Sequence, residues 1–154
     1  LGNTKDVRSA IEKAIKENSE LRGKVEEYFA ERVETIAREC MSKARMVNGI
    51  RLMTLDGPRI SDLVKNVAFA IRRLDTDGHV FMAATHNLQK PMLTLLISDD
   101  FVKEGLNAGQ IVRQAAKFIK GGGGGQPFFA QAGGKDIDGL SAASDEMLKL
   151  LNLI

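Results

Sequence analysis

Five consecutive glycines, Gly121, Gly122, Gly123, Gly124 and Gly125, limit what this chain can fold into more than any other stretch. Without β-carbons, such a run reaches positive φ and brings its amides against another backbone or a flat ligand. A glycine run in isolation reads as a flexible linker. Its flanks here read otherwise. Ile111, Val112, Ala115, Ala116, Phe118 and Ile119 lead in at helical spacing, Phe128-Phe129-Ala130 follows at once, and Gly133-Gly134 closes the segment. The run is therefore expected as a loop inside a domain, not a tether between domains.

Two phosphate-loop patterns fail on the letters. The pattern GxxxxGK[ST] needs Lys followed by Ser or Thr after its last glycine, where this chain has Gln126-Pro127. The dinucleotide pattern GxGxxG finds no register across Gln126, Pro127 and Phe128. ATP or NAD binding by this loop is not expected.

At 154 residues there is room for roughly one core, with a helical extension. A composition 44% hydrophobic and 27% charged is ordinary for a soluble protein. No stretch has the ~18 consecutive apolar residues of a membrane helix, so no membrane partner is expected. The lone Cys40 excludes an internal disulfide and fits a reducing, cytoplasmic setting. The chain opens on Leu1 without an initiator methionine, which suggests a piece of a longer protein.

From about Thr4 to Val47 the pattern predicts a long helix, or a helical hairpin if Gly23 breaks it. Asn3 or Thr4 serves as N-cap, with Asn48-Gly49 as the stop. Apolar or small residues recur at Val7, Ile11, Ala14, Leu21, Val25, Phe29, Val33, Ile36, Cys40, Ala44 and Val47. Their mean step, with Asn18 in the stripe, is about 3.6 residues, the period of a nearly straight helix. Glu12–Lys16, Glu20–Lys24, Glu34–Arg38 and Glu39–Lys43 stand four apart with the acid first, each pair adding ~0.2–0.5 kcal/mol. A helix of that length spans ~65 Å, more than the rest of the domain. Val33 to Val47 are expected to pack on the globular part. Val7, Ile11, Ala14, Leu21 and Val25 are left for another copy or another domain. Asn18 either sets register in that contact or sits at its solvent edge.

Beyond Ile50 strands alternate with helices. Strands are expected at Ile50–Leu55, His79–Thr85 and Met92–Ile97, the last buried on both faces. Helices are expected at Ser61–Leu74, near Phe101–Glu104, from Asn107 to Ile119, and at Ser141–Leu151. The fold class is α/β: the long helix, residues 1–48, then a small mixed sheet of three or four strands flanked by helices, residues 49–154. Strand order is not legible.

Residues for chemistry are scarce. His79 and His86 have no His, Cys or carboxylate at ligand spacing and read as surface or strand-end residues, so no metal site is expected. Cys40 reads as a small core residue. Asp56, Asp75, Asp77, Asp99 and Asp100 sit at turns, where capping explains them. Ser141 and Ser144 have no histidine nearby, and no catalytic constellation is found. Charge is more informative. Between Gly105 and Lys135 there is no acid, while Arg113, Lys117 and Lys120 fall at i, i+4 and i+7 of one helix face, extended by Gln110 and Gln114. That stripe runs into the glycine loop beside Lys135. Cations next to a backbone without β-carbons suit the phosphate-and-ribose surface of structured RNA.

The segment GGGGGQPFFAQAGG resembles the C-terminal signature of alanyl-tRNA synthetases, a module of the DHH-associated domain family shared with some nucleic-acid phosphoesterases. Val47-Asn48-Gly49-Ile50 and Asn107-Ala108-Gly109 add to the likeness. The resemblance implies a C-terminal tRNA-binding and oligomerisation module of an alanine–tRNA ligase. It would bind the tRNA elbow, support aminoacylation and editing by upstream domains of the same chain, and contribute to a homodimer. Gly121 to Gly125 and Ala130, Gln131, Ala132, Gly133 and Gly134 carry over as the shared surface. ATP, magnesium and zinc would serve only the upstream catalytic and editing domains, with no cofactor here. Two alternatives stay open: the substrate-binding domain of a phosphoesterase, inactive alone because no Asp-His-His is present, and a purely structural oligomerisation domain.

Overall fold

The computed structural model describes residues 4–154, so Asn3, one of the two N-cap candidates, lies outside the described residues. Helix α1 runs unbroken from Thr4 to Ser42, through Gly23. It is one helix, not a hairpin, because a single glycine costs only about 1 kcal/mol. Two of the expected pairs form, Glu34–Arg38 at 2.9 Å and Glu39–Lys43 at 2.6 Å. Glu12 instead turns to Arg8 at 3.2 Å, and Lys13 faces Glu17 at 3.9 Å.

The helix stops earlier than its apolar stripe implies. Arg45–Val47 forms strand β1, antiparallel to β2, Ile50–Pro58, with Val47 opposite Ile50. Asn48 and Gly49 are not a helix stop but the hairpin turn between these strands, with φ of 50° and 83°. Asn-Gly is the preferred pair for a two-residue turn in which both φ are positive.

Helix α2, Ser61–Leu74, follows the expected bounds and returns the chain to β3, His79–Asn87, parallel to β2. Strand β4, Lys90–Ile97, is antiparallel to β3. Then come α3, Asp99–Lys103, α4, Ala108–Ala115, and a 3₁₀ turn over Ala116–Ile119. Strands β5, Gly122–Gly125, and β6, Phe129–Gly133, precede α5, Leu140–Leu150. The sheet has six strands in the order β1-β2-β3-β4-β6-β5. The expected three or four strands fell short by β1 and by the pair built from the glycine segment.

Alternation along β3 and β4 supplies two cores. Val80, Met82, Leu93, Leu95 and Ile97 face Ile111, Val112, Ala115 and Met147 of α4 and α5. Phe81, Ala83 and Leu96 face Val64, Val67 and Ile71 of α2 and, beside them, Val33, Ile36, Ala37 and Cys40 of α1. β4 is thus buried on both faces, as its apolar run implies. Each fully buried Val, Leu or Ile contributes at most about 1.5–3 kcal/mol. One turn ahead of Val33, Phe29 is half-buried against the same core; before it Val7, Ile11, Leu21 and Val25 are exposed, as are Ile15 and Tyr28.

Candidate nucleic-acid interface

The glycine run is not a loop. Gly122 to Gly125 form the edge strand β5, antiparallel to β6, with Gly123 opposite Ala132 and Gly125 opposite Ala130. Gln126 closes the turn by donating its N–H to the Phe129 carbonyl at 2.8 Å. The two faces of the strand differ. A β-carbon on Gly121, Gly123 or Gly125 would overlap the backbone of β6 or of the residues that follow it. A β-carbon on Gly122 would meet open space, and one on Gly124 would stand 3.3 Å from the Arg113 guanidinium. Odd-numbered glycines therefore pack the hairpin, and even-numbered ones face outward. The other edge of β5 has no strand neighbour.

Helix α4 packs beside this strand. The Asn107 carboxamide oxygen accepts the Gln110 N–H at 3.0 Å and caps it. Gly109 permits close approach, since a β-carbon there would lie 2.8 Å from the Gly125 carbonyl oxygen. Gln110, Arg113, Gln114 and Lys117 are exposed. The expected single face through Lys120 does not hold, because the α-helix ends at Ala115 and a 3₁₀ turn changes the phase. Lys120 then takes a left-handed conformation, φ 49°, and pairs with Asp136 at 3.1 Å. That ammonium holds the Asp136 carboxyl below the usual carboxylate range.

The remaining motif residues separate in the same way. Ala130 and Ala132 are buried in the core beneath α4 and hold β6 in place. The Gln131 side-chain amide donates to the Thr94 hydroxyl at 3.0 Å, bracing β6 on β4. Phe128 lies under the Arg72 guanidinium, 4.1 Å from its ring centre, and Phe129 stacks obliquely on Phe69 at 4.9 Å. Both phenylalanines thus belong to the α2 side of the molecule.

Gly121, Gly122, Gly133, Gly134, Lys120 and Lys135 form one wall of a cleft of about 490 Å³. Arg59, Asn87 and Lys90 come to the cleft from the ends of β2, β3 and β4. No acidic side chain lines it. Among the described residues no ion pair involves Arg59, Lys90 or Lys135. Sequence reasoning missed Arg59, Asn87 and Lys90; a cation or amide at the mouth of each apolar strand was the available signal. Gln110, Gln114 and Lys117 do not border the cleft. Backbone strain gathers nearby. Besides Asn48 and Asn152, the described non-glycine residues with positive φ are Leu88, Gln89 and Lys120, and each such position costs about 1–2 kcal/mol for an ordinary side chain.

Elsewhere the polar residues look structural. His79 opens β3, the expected strand end, but is fully buried and not at the surface; its backbone N–H donates to the Ser98 hydroxyl at 3.1 Å. Its ring lies 3.8 Å from Asp75, which Arg51 also pairs. Burial holds the imidazole below its ordinary pKa despite that carboxylate, whose charge Arg51 offsets. Cys40 is buried in the α1–α2 core, and burial raises its thiol pKa. No group of three or more His, Cys, Asp or Glu gathers at metal-binding distance among the described residues. No described helix is long and apolar enough to cross a membrane.

Comparison with known proteins extends this picture. The chain is 43% identical over 151 residues to an alanine–tRNA ligase of Bacteroides fragilis, covering 98% of this chain and 17% of that protein. It is 47% identical over 138 residues to the alanine–tRNA ligase of Parabacteroides distasonis, covering 90% of this chain and 16% of that one. Among solved structures, the C-Ala domain from Aquifex aeolicus alanyl-tRNA synthetase superposes with a TM-score of 0.62 at 26% identity, over 71% of this chain and 97% of that domain. Residues 61–153, from the start of α2 to just past α5, match the DHHA1 domain, and the chain belongs to that family.

Proposed function

We propose that this chain is an RNA-binding module of an alanine–tRNA ligase. Residues 49–154 hold the elbow of tRNA, while aminoacylation and editing proceed at centres elsewhere in the parent protein. The observation that carries the reading is the glycine edge strand. Its outward face has no side chains, Arg113 stands over it, and a cleft without acids opens at its end. An A-form RNA surface of phosphates and 2′-hydroxyls needs such close, cationic contact. The names of the similar proteins support tRNA as the RNA in question.

In this reading Arg113, Lys117 and Lys135 neutralise phosphates, and Gln110 and Gln114 reach sugar or base edges. Gly122 and Gly124 present backbone. The chain needs no cofactor of its own; ATP, magnesium and zinc serve other domains, and its place is with tRNA in the cytoplasm. Helix α1, residues 4–42, offers Val7, Ile11, Leu21 and Val25 to a second copy, giving a homodimer, with Ala14 between them on the stripe. The chain alone does not activate alanine, and pyrophosphate exchange dependent on alanine and ATP by the purified chain would contradict this.

The test is binding of whole tRNA against a short single-stranded oligonucleotide at a fixed, stated salt concentration. Whole tRNA should bind more tightly, and Lys117→Ala should weaken it while flattening the log-affinity against log-salt slope by about 0.9 or less. Equal affinity for tRNA and oligonucleotide would overturn the reading. Preference for the oligonucleotide would favour instead a phosphoesterase-type substrate domain, whose ligand end would occupy the cleft.

A further inference from the structure

The motif glycines account for one wall of the cleft, and the other wall has its own design. Strands β3 and β4 stay paired up to Asn87 and Lys90, both of which border the cleft. Between them stand only Leu88 and Gln89, with φ of 48° and 66°. A two-residue turn with both φ positive favours Asn-Gly, and the Asn48-Gly49 turn of this same chain obeys that rule. Leu-Gln breaks it. Nothing in the free protein offsets the strain, since Leu88 is 87% exposed, more than any other large apolar residue among those described. Strain without local return is characteristic of ligand clamps.

The surroundings say what would be clamped. Arg59 is tied to β3 by its N–H, which donates to the His86 carbonyl at 2.9 Å, so its guanidinium comes from a fixed point near the hairpin. With Lys90 it gives this wall two cations and no acid. Cations at the base and an apolar side chain at the tip match a polynucleotide: phosphates below, the face of an unstacked base or an end base pair above.

We propose that the β3–β4 hairpin is the second RNA-contacting wall, with Arg59 and Lys90 on phosphates, Leu88 against a base face and Gln89 on a base edge or 2′-hydroxyl. This rests on the RNA reading above, and places RNA across the cleft instead of along β5 alone.

Two variants of the chain test it. Replacing Leu88 and Gln89 together with Asn and Gly relieves the turn, so the melting temperature should rise by about 3–6 °C. Whole-tRNA affinity should nevertheless fall about tenfold, with the salt slope unchanged, because no charge is removed. Leu88→Ala keeps the turn and should lose about fivefold at a wild-type melting temperature. If both variants bind like wild type while Lys117→Ala binds more weakly, the hairpin has no part and the RNA reading stands. If the wild-type chain shows no tRNA preference, both fall. A melting temperature that drops in the Asn-Gly variant would remove the strain argument on which the inference is built.

Discussion

The Arg113 guanidinium covers Gly124, standing 3.3 Å from where a β-carbon on that glycine would be. The cation and the bare strand are thus one surface, set by α4 packing beside β5. Gly124→Ala should leave the fold intact, because only the mobile end of Arg113 must move. It should weaken tRNA binding about as much as Arg113→Ala does, and the double variant should add little more. Affinity titrations of all three, with melting curves beside them, check this.

Alternation along β5 gives a sharper test of what the glycines are for. Gly123→Val should unfold or strongly destabilise the hairpin, since its β-carbon overlaps the Gln131 carbonyl and Ala132. Gly122→Val meets open space at the cleft wall and should fold normally while binding tRNA less tightly. If both melt like wild type, the strand is not held as described. Replacing Gly123 is therefore a test of folding and not of recognition.

The legibility of this region follows from what glycine conceals. Helix α2 keeps its expected bounds, Ser61 to Leu74, because Leu63, Val64, Val67 and Ile71 repeat at helical spacing and are all buried. A polyglycine strand has no alternation to read, so β5 passed for a loop. Its partner β6 went unnoticed with it, since Gly133-Gly134 read as a closing turn. From Ser61 through Ile97 the elements could be told apart from local pattern. β3 and β4 nevertheless each run two residues further than expected, to Asn87 and from Lys90, leaving a two-residue turn in place of a longer loop. Arg59, Asn87 and Lys90 could not be gathered that way, because strand order brings them to Gly122 and Lys135 from distant parts of the chain. The stripe through Lys120 was over-read because one helical period was carried across a 3₁₀ turn.

Buried His79 makes a pH prediction. Its folded pKa is depressed, chiefly by burial, with Asp75 and Asp100 opposing and Arg51 assisting. A depressed imidazole means the unfolded chain binds more protons once the pH falls below about 6.5, so stability must decline from there toward lower pH. One proton limits the slope to about 1.4 kcal/mol per pH unit. Chemical denaturation at pH 7.5, 6.5 and 5.5 should show that decline, and His79→Gln should flatten it whatever its absolute stability. Losses from Asp100 and Asp136, whose carboxyls are held low, begin only in the more acid range. An unchanged slope in His79→Gln would locate the titration elsewhere.

Helix α1 predicts association. Sedimentation of the wild-type chain should show dimers as concentration rises, and Ile11→Glu with Leu21→Glu should leave monomers. Both residues are more than half exposed and far along the helix from the buried Val33, so the melting temperature of the monomer should not change. A wild-type chain that stays monomeric at the highest attainable concentration argues against a second copy on this stripe.

An unbroken α1 also fixes a bearing. Its end is clamped under α2 through Ile36, Ala37 and Cys40, while the stretch from Thr4 to Tyr28 projects without a hinge. In an α-helix each residue advances about 1.5 Å and turns about 100°. Deleting one residue between Lys5 and Val25 would leave the globular domain untouched. It would swing anything joined ahead of Thr4 by more than a quarter-turn. Removing seven residues would nearly restore the azimuth and shorten the rod by about 10 Å. A ruler with an angular scale tolerates substitutions freely and single deletions poorly.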